Sequence, residues 1–126
     1  MVNGMRRGFT LLELLVVMAI IATLLSLAVP RYFGSVQRAE EATLRQNLSL
    51  MRSAIDQHYA DHGRYPESLD ALVTQHYLRS VPLDPATGAT DTWIVTAPAP
   101  PELGQVYDVS SGAETTALDG TAFSTW

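Results

Sequence analysis

The chain has 126 residues, a formal net charge of −5 and no cysteine. That length leaves room for one domain besides a membrane segment. The acid excess argues against a surface built to grip phosphate backbones, so nucleic acid is not an expected partner. Without cysteine, a domain in an oxidising compartment must be stabilised by packing or by a metal rather than by disulfides.

The first element is the run from Phe9 to Val29, 21 residues in which Glu13 carries the only charge. As a helix it would be about 32 Å long, enough to cross a hydrocarbon core of roughly 30 Å. Arg6 and Arg7 stand just before it and are expected to hold the amino terminus in the cytoplasm, leaving the residues after Val29 outside. A secretory signal peptide shares the basic start and the apolar core. A charge inside that core is unusual for one, however, and no clear A-x-A site follows. A plain anchor explains the length but not Glu13, because a lone carboxylate in a spanning segment costs at least ~2.5 kcal/mol and calls for a partner or a function.

The run Arg6-Arg7-Gly8-Phe9-Thr10-Leu11-Leu12-Glu13 resembles the processing site of type IV pilins and type II secretion pseudopilins. The resemblance implies that a prepilin peptidase cuts after Gly8, that Phe9 becomes the N-methylated first residue, and that Glu13 steers assembly. Met1 and Met5 are both possible starts of the leader. Many type IV pilins close a carboxy-terminal loop with a disulfide, whereas pseudopilins generally do not, so the missing cysteines tilt the resemblance towards the pseudopilins.

Pro30 follows the apolar run. A proline inside a helix removes one hydrogen bond and crowds the preceding turn, so a kink or local melting is expected there. Beyond it, Leu44, Leu48, Met51, Ile55 and Tyr59 recur at steps of three and four, tracing one helical face. Arg38, Glu41, Arg45, Arg52 and Asp56 fall largely on other faces. The helix is expected to end near His62, with Gly63 in the terminating position and Pro66 beyond. His58 and His62, four apart, have a spacing that can hold a metal, or they are a solvated pair suited to the helix carboxyl end.

Asp61-His62-Gly63-Arg64-Tyr65-Pro66 and Val81-Pro82-Leu83-Asp84-Pro85 resemble the close of the long helix and the later turn of major, G-type pseudopilins. A short helix is expected at about 67–74 between them, with Leu69, Leu72 and Val73 on one side. Residues from about 92 to 126 are read as strands: Trp93–Thr96, Gln105–Val109, and a third over Thr121–Trp126 with Phe123 pointing inward. Ala97-Pro98-Ala99-Pro100-Pro101 is a stiff loop between the first two. In G-type pseudopilins a loop between the last strands holds calcium. The resemblance makes Glu114 and Asp119 the candidate ligands here, with Asp108 a weaker one, although the loop Ser110–Gly120 departs from the Gly/Asp-rich pattern and calcium wants roughly six to eight oxygens. No other cofactor is expected.

The expected architecture is α+β, a type IV pilin-like ladle: a cleaved leader over 1–8, a transmembrane and assembly half-helix over 9–29, and a periplasmic domain over 30–126. No catalytic motif is present, so an enzyme is not expected. The implied function is a structural subunit, a self-polymer forming the periplasmic pseudopilus of a type II secretion system. Its implied partners are the prepilin peptidase, the inner-membrane platform and minor pseudopilins. The alternatives are a type IV pilin or minor pilin for adhesion, motility or DNA uptake, and a membrane-tethered domain that never polymerises.

Overall fold

A computed structural model describes residues 8–126, so Arg6, Arg7 and the start positions Met1 and Met5 lie outside the described residues. Contacts divide the chain into two compact units, residues 1–36 and 37–126. Helix α1, Leu11–His62, contributes to both.

In the first unit the helix is apolar all round, and its large side chains from Phe9 to Phe33 are exposed. It is the one helix among the described residues long and apolar enough to cross a membrane. The helix runs through Pro30 without interruption, so no turn is unwound there. Proline offers no N–H to the carbonyl four residues back, which limits its cost to one missing rung and local crowding.

The second unit has its own core. Leu44, Leu48, Met51 and Ile55 are buried, as their spacing predicts, with Ala54 and His58 beside them. Tyr59, on the same predicted face, is instead half exposed and stacks on Tyr65 at 4.5 Å. Gly63 ends the helix in the left-handed region (φ 70°), where its N–H donates to the Tyr59 carbonyl at 2.7 Å. Ser68 then caps helix α2, Leu69–Thr74, by accepting from the Ala71 amide at 3.1 Å. Leu72 is buried, and Leu69 and Val73 pack against the core.

Strands β1, Ile94–Thr96, and β2, Asp108–Ser110, pair antiparallel, with Val95 opposite Val109. Between them the proline loop contains a cis Ala99–Pro100 bond and a 3-10 turn over Pro101–Leu103. The expected third strand is not formed. Residues Phe123–Thr125 make a 3-10 turn, and the neighbourhood contributes only an isolated bridge between Thr116 and Ala122. A strand would put Phe123 and Trp126 on opposite faces. The period of three brings their rings together edge to face at 5.0 Å, with Phe123 buried as expected.

Candidate functional site

The start of α1 is a reciprocal cap. The Thr10 amide donates to Glu13 Oε2 at 3.1 Å, and the Glu13 amide donates to Thr10 Oγ1 at 3.0 Å. This is a capping box, two otherwise orphaned amides satisfied by two side chains. The Thr-x-x-Glu pattern at Thr10 and Glu13 is the sequence signal for it. The carboxylate also sits where the helix dipole favours negative charge.

The other polar side chains of the apolar run are satisfied in the same internal way. Thr23 Oγ1 donates to the Ala19 carbonyl at 2.8 Å, and Ser26 Oγ donates to the Thr23 carbonyl at 2.7 Å. Lipid offers no hydrogen bonds, so such closure lets the segment sit in a bilayer at low cost. The charge on Glu13 is the part that closure does not cancel. Phe9 is 88% exposed, and among the described residues a Cβ placed on Gly8 would meet nothing within 4 Å. The fold itself therefore gives no reason for glycine at that position.

The histidines separate. His58 is buried, with Nδ1 2.9 Å from the Arg64 carbonyl, so the solvated reading holds only for His62. Their rings lie 4.4 Å apart. Tyr77 closes over them, donating its hydroxyl to Asp61 Oδ2 at 2.6 Å and lying 3.2 Å from His62 Nε2. The Asp61 hydrogen bond, aided by burial, raises the Tyr77 phenol above its ordinary value.

The calcium candidates are placed apart from any such cluster. Glu114 is exposed, and Asp119 is exposed with Oδ1 accepting from the Thr121 amide at 3.0 Å and from its hydroxyl at 2.6 Å. Those two bonds, the hydroxyl's first, hold the Asp119 carboxyl below the usual carboxylate value. Asp108 Oδ1 is engaged by Arg52 Nε at 2.9 Å and by the Val109 amide at 2.8 Å. Among the described residues no three His, Asp or Glu side chains gather as a metal site would require. What the sequence did not reveal is the arginine on α1 that meets Asp108, since the two are 56 positions apart.

Residues 3–29 match the family of the prokaryotic N-terminal methylation motif. The chain is 34% identical to the type II secretion system core protein G of Klebsiella michiganensis, over 86% of this chain and 84% of that protein. It is 33% identical to the protein of the same name from Dickeya chrysanthemi, over 85% of this chain and 70% of that one. The type IV major pilin protein PilE1 of Neisseria gonorrhoeae is 35% identical, but over 52% of this chain and 40% of its own length. No solved structure matches the chain. The similarity to the secretion proteins covers far more of this chain than that to the pilin, and with it the chain belongs to the type II secretion system core protein G family of pseudopilins.

Proposed function

We propose that this pseudopilin is cleaved after Gly8, N-methylated on Phe9, and polymerised through α1 into the periplasmic pseudopilus of a type II secretion system. Its role is structural, in keeping with the names of its relatives. In this reading residues 1–8 are the leader, 9–29 the membrane and assembly segment, and 30–126 the periplasmic domain. Arg6 and Arg7 keep the leader cytoplasmic by the positive-inside rule. The working partners are other copies of the chain, the prepilin peptidase, the inner-membrane platform and minor pseudopilins. Pro30 supplies a point of give in the helix, since one rung is already missing there.

The observation that carries the proposal is Glu13 itself. Its hydrogen bond to Thr10 satisfies one oxygen, yet its charge stands in an exposed apolar segment, and no ion pair among the described residues neutralises it. In a filament core that charge is costly until an opposite one arrives. The methylated amine of Phe9 on a neighbouring subunit is such a charge, and it meets Glu13 only when the two helices are offset at the right height. Fixing register is the best-attested use of a buried ion pair.

Glu13→Gln separates the two roles of the residue, because glutamine also serves in a capping box. The variant is expected to insert, to be cleaved, and to fail to enter filaments, and Glu13→Lys is expected to do the same. Shearing cells that overproduce the secretion machinery and probing the sheared fraction reads the outcome. Wild-type amounts of filament from correctly processed Glu13→Gln would show that the charge has no part in assembly.

A further inference from the structure

Arg52 points its guanidinium at three oxygens from the last fifth of the chain. Nε donates to Asp108 Oδ1 at 2.9 Å, and Nη2 donates to the Val109 carbonyl at 2.9 Å and to the Trp126 backbone oxygen at 2.5 Å. One carboxylate and two backbone oxygens around a positive charge resemble part of the shell that calcium collects. Here the cation is a side chain of α1. Arginine suits the task, because its planar fork binds several acceptors at once and stays charged at any relevant pH.

Neighbouring contacts extend the same clasp. Glu41 Oε1 accepts from the Leu118 amide at 2.6 Å, and the Arg45 guanidinium lies 3.7 Å from the ring centre of Trp126. Glu41, Arg45 and Arg52 are four and seven residues apart, which places them along one side of the helix. By contrast, the residues expected to bind calcium do not make a shell. Asp119 Oδ1 is occupied by Thr121, Asp108 Oδ1 is occupied by Arg52, and Glu114 stands exposed. A calcium ion at Asp108 would also have to share its carboxylate with the guanidinium, and like charges repel. The donor set does not fit the ion.

We infer that the Arg52 guanidinium, rather than a calcium ion, ties residues 108–126 to α1 in this pseudopilin, so that the periplasmic domain folds independently of calcium. The inference concerns the fold of the subunit and stands apart from whether Glu13 directs assembly.

The test uses the full-length protein in detergent micelles, with the near-ultraviolet circular dichroism of the periplasmic domain followed on heating. Calcium chloride and the chelator EGTA are the two conditions, and amide exchange over residues 108–126 is the second readout. Wild-type protein is expected to melt at the same temperature in both. Arg52→Met should melt lower by roughly 4–8 °C, a shift typical of one lost stabilising contact in a domain of this size. It should also exchange faster over 108–126, with no recovery on adding calcium. Arg52→Lys keeps the charge and loses the fork, so it should fall between the two; if Arg52→Met does not fold, the same loss in Arg52→Lys carries the proposal. A melting temperature that rises with calcium in the wild type, and loses that rise in Glu114→Gln or Asp119→Asn, would overturn it. So would wild-type melting and exchange in both arginine variants.

Discussion

The Ser111 hydroxyl donates a 2.5 Å hydrogen bond to Asp84 Oδ2 across 27 positions of sequence, and neither residue is exposed at all. The Ala113 amide donates in turn to Ser111 Oγ at 3.1 Å, and the Ala86 amide donates to Asp84 Oδ1 at 2.8 Å. The turn after the Val81–Pro82 segment and the loop after β2 are thereby stitched into one buried polar chain. Ser111→Ala leaves a buried carboxylate oxygen short of a donor, which typically costs ~1–3 kcal/mol. Urea denaturation of the purified protein should show that loss, and an unchanged midpoint would mean that the stitch adds nothing.

Leu48 and Leu50 are two residues apart on α1 and differ in one respect that matters. Leu48 is 2% exposed, and Leu50 is 52% exposed. Leu48→Ala should destabilise the domain by about 2–5 kcal/mol, the range for a buried leucine cavity. Leu50→Ala should stay within about 0.5 kcal/mol, as surface changes usually do. Comparable losses from both would place the core on the wrong face of the helix.

Two glycines separate strain from collision. Gly63 sits at φ 70° with open space around a would-be Cβ, so Gly63→Ala pays only for the left-handed backbone, roughly 1–2 kcal/mol. At Gly112 a Cβ would lie 2.1 Å from the Thr92 carbonyl oxygen, which is backbone and cannot swing aside. Gly112→Ala should therefore lower the melting temperature more than Gly63→Ala does, and the reverse order would contradict the packing of the β2 loop on residue 92.

Processing by the peptidase should depend on Gly8 for reasons external to the fold. Among the described residues nothing lies within 4 Å of its would-be Cβ, so Gly8→Leu should leave their contacts intact. The expected result is a folded but uncleaved precursor that accumulates in the membrane. Mass spectrometry of the wild-type protein should find a methylated Phe9 start, and an assembled subunit that retains residues 1–8 would refute the cleavage site.

Acid should loosen the last loop through Asp119. Its carboxyl is held below the usual value by the Thr121 hydroxyl and amide, so the folded state favours the charged form. A depressed value contributes stability that is present above the ordinary carboxylate range and lost as pH falls through the folded value. Protection of the Thr121 amide should hold at neutral pH and fade below about pH 4, the ordinary carboxylate value. Asp119→Asn should remove that dependence, and an identical acid response in the variant would assign it to other groups.

The helices were legible because their signals are local. The steps from Leu44 to Ile55, the glycine and proline after His62, and Ser68 ahead of α2 each specify structure within a turn or two. The capping box at Thr10 and Glu13 was equally local. The segment around Phe123 misled because its β-branched and aromatic composition suits a strand, while a strand needs a long-range partner that composition does not name. The Trp126 amide instead donates to the Phe123 carbonyl three residues back, and the two rings meet, as a 3-10 turn and not a strand requires. The Arg52 clasp joins positions 56, 57 and 74 apart, and the buried Asp84–Ser111 pair spans 27, separations at which no sequence period operates.

The setting of Trp126 has an optical consequence. Its indole face carries the Arg45 guanidinium, its ring meets Phe123 in a T-shaped pair, and its N–H donates to Thr121 Oγ1 at 2.8 Å. Trp93, the other of the two tryptophans, is buried and donates its N–H to the Pro82 carbonyl at 2.9 Å. One indole thus emits from beneath a cation at the chain's last residues and the other from an apolar interior. Release of residues 121–126 from α1 strips the cation from the first indole and leaves the second where it was. Tryptophan emission is therefore expected to report, without a label, whether the tail stays docked while the core holds.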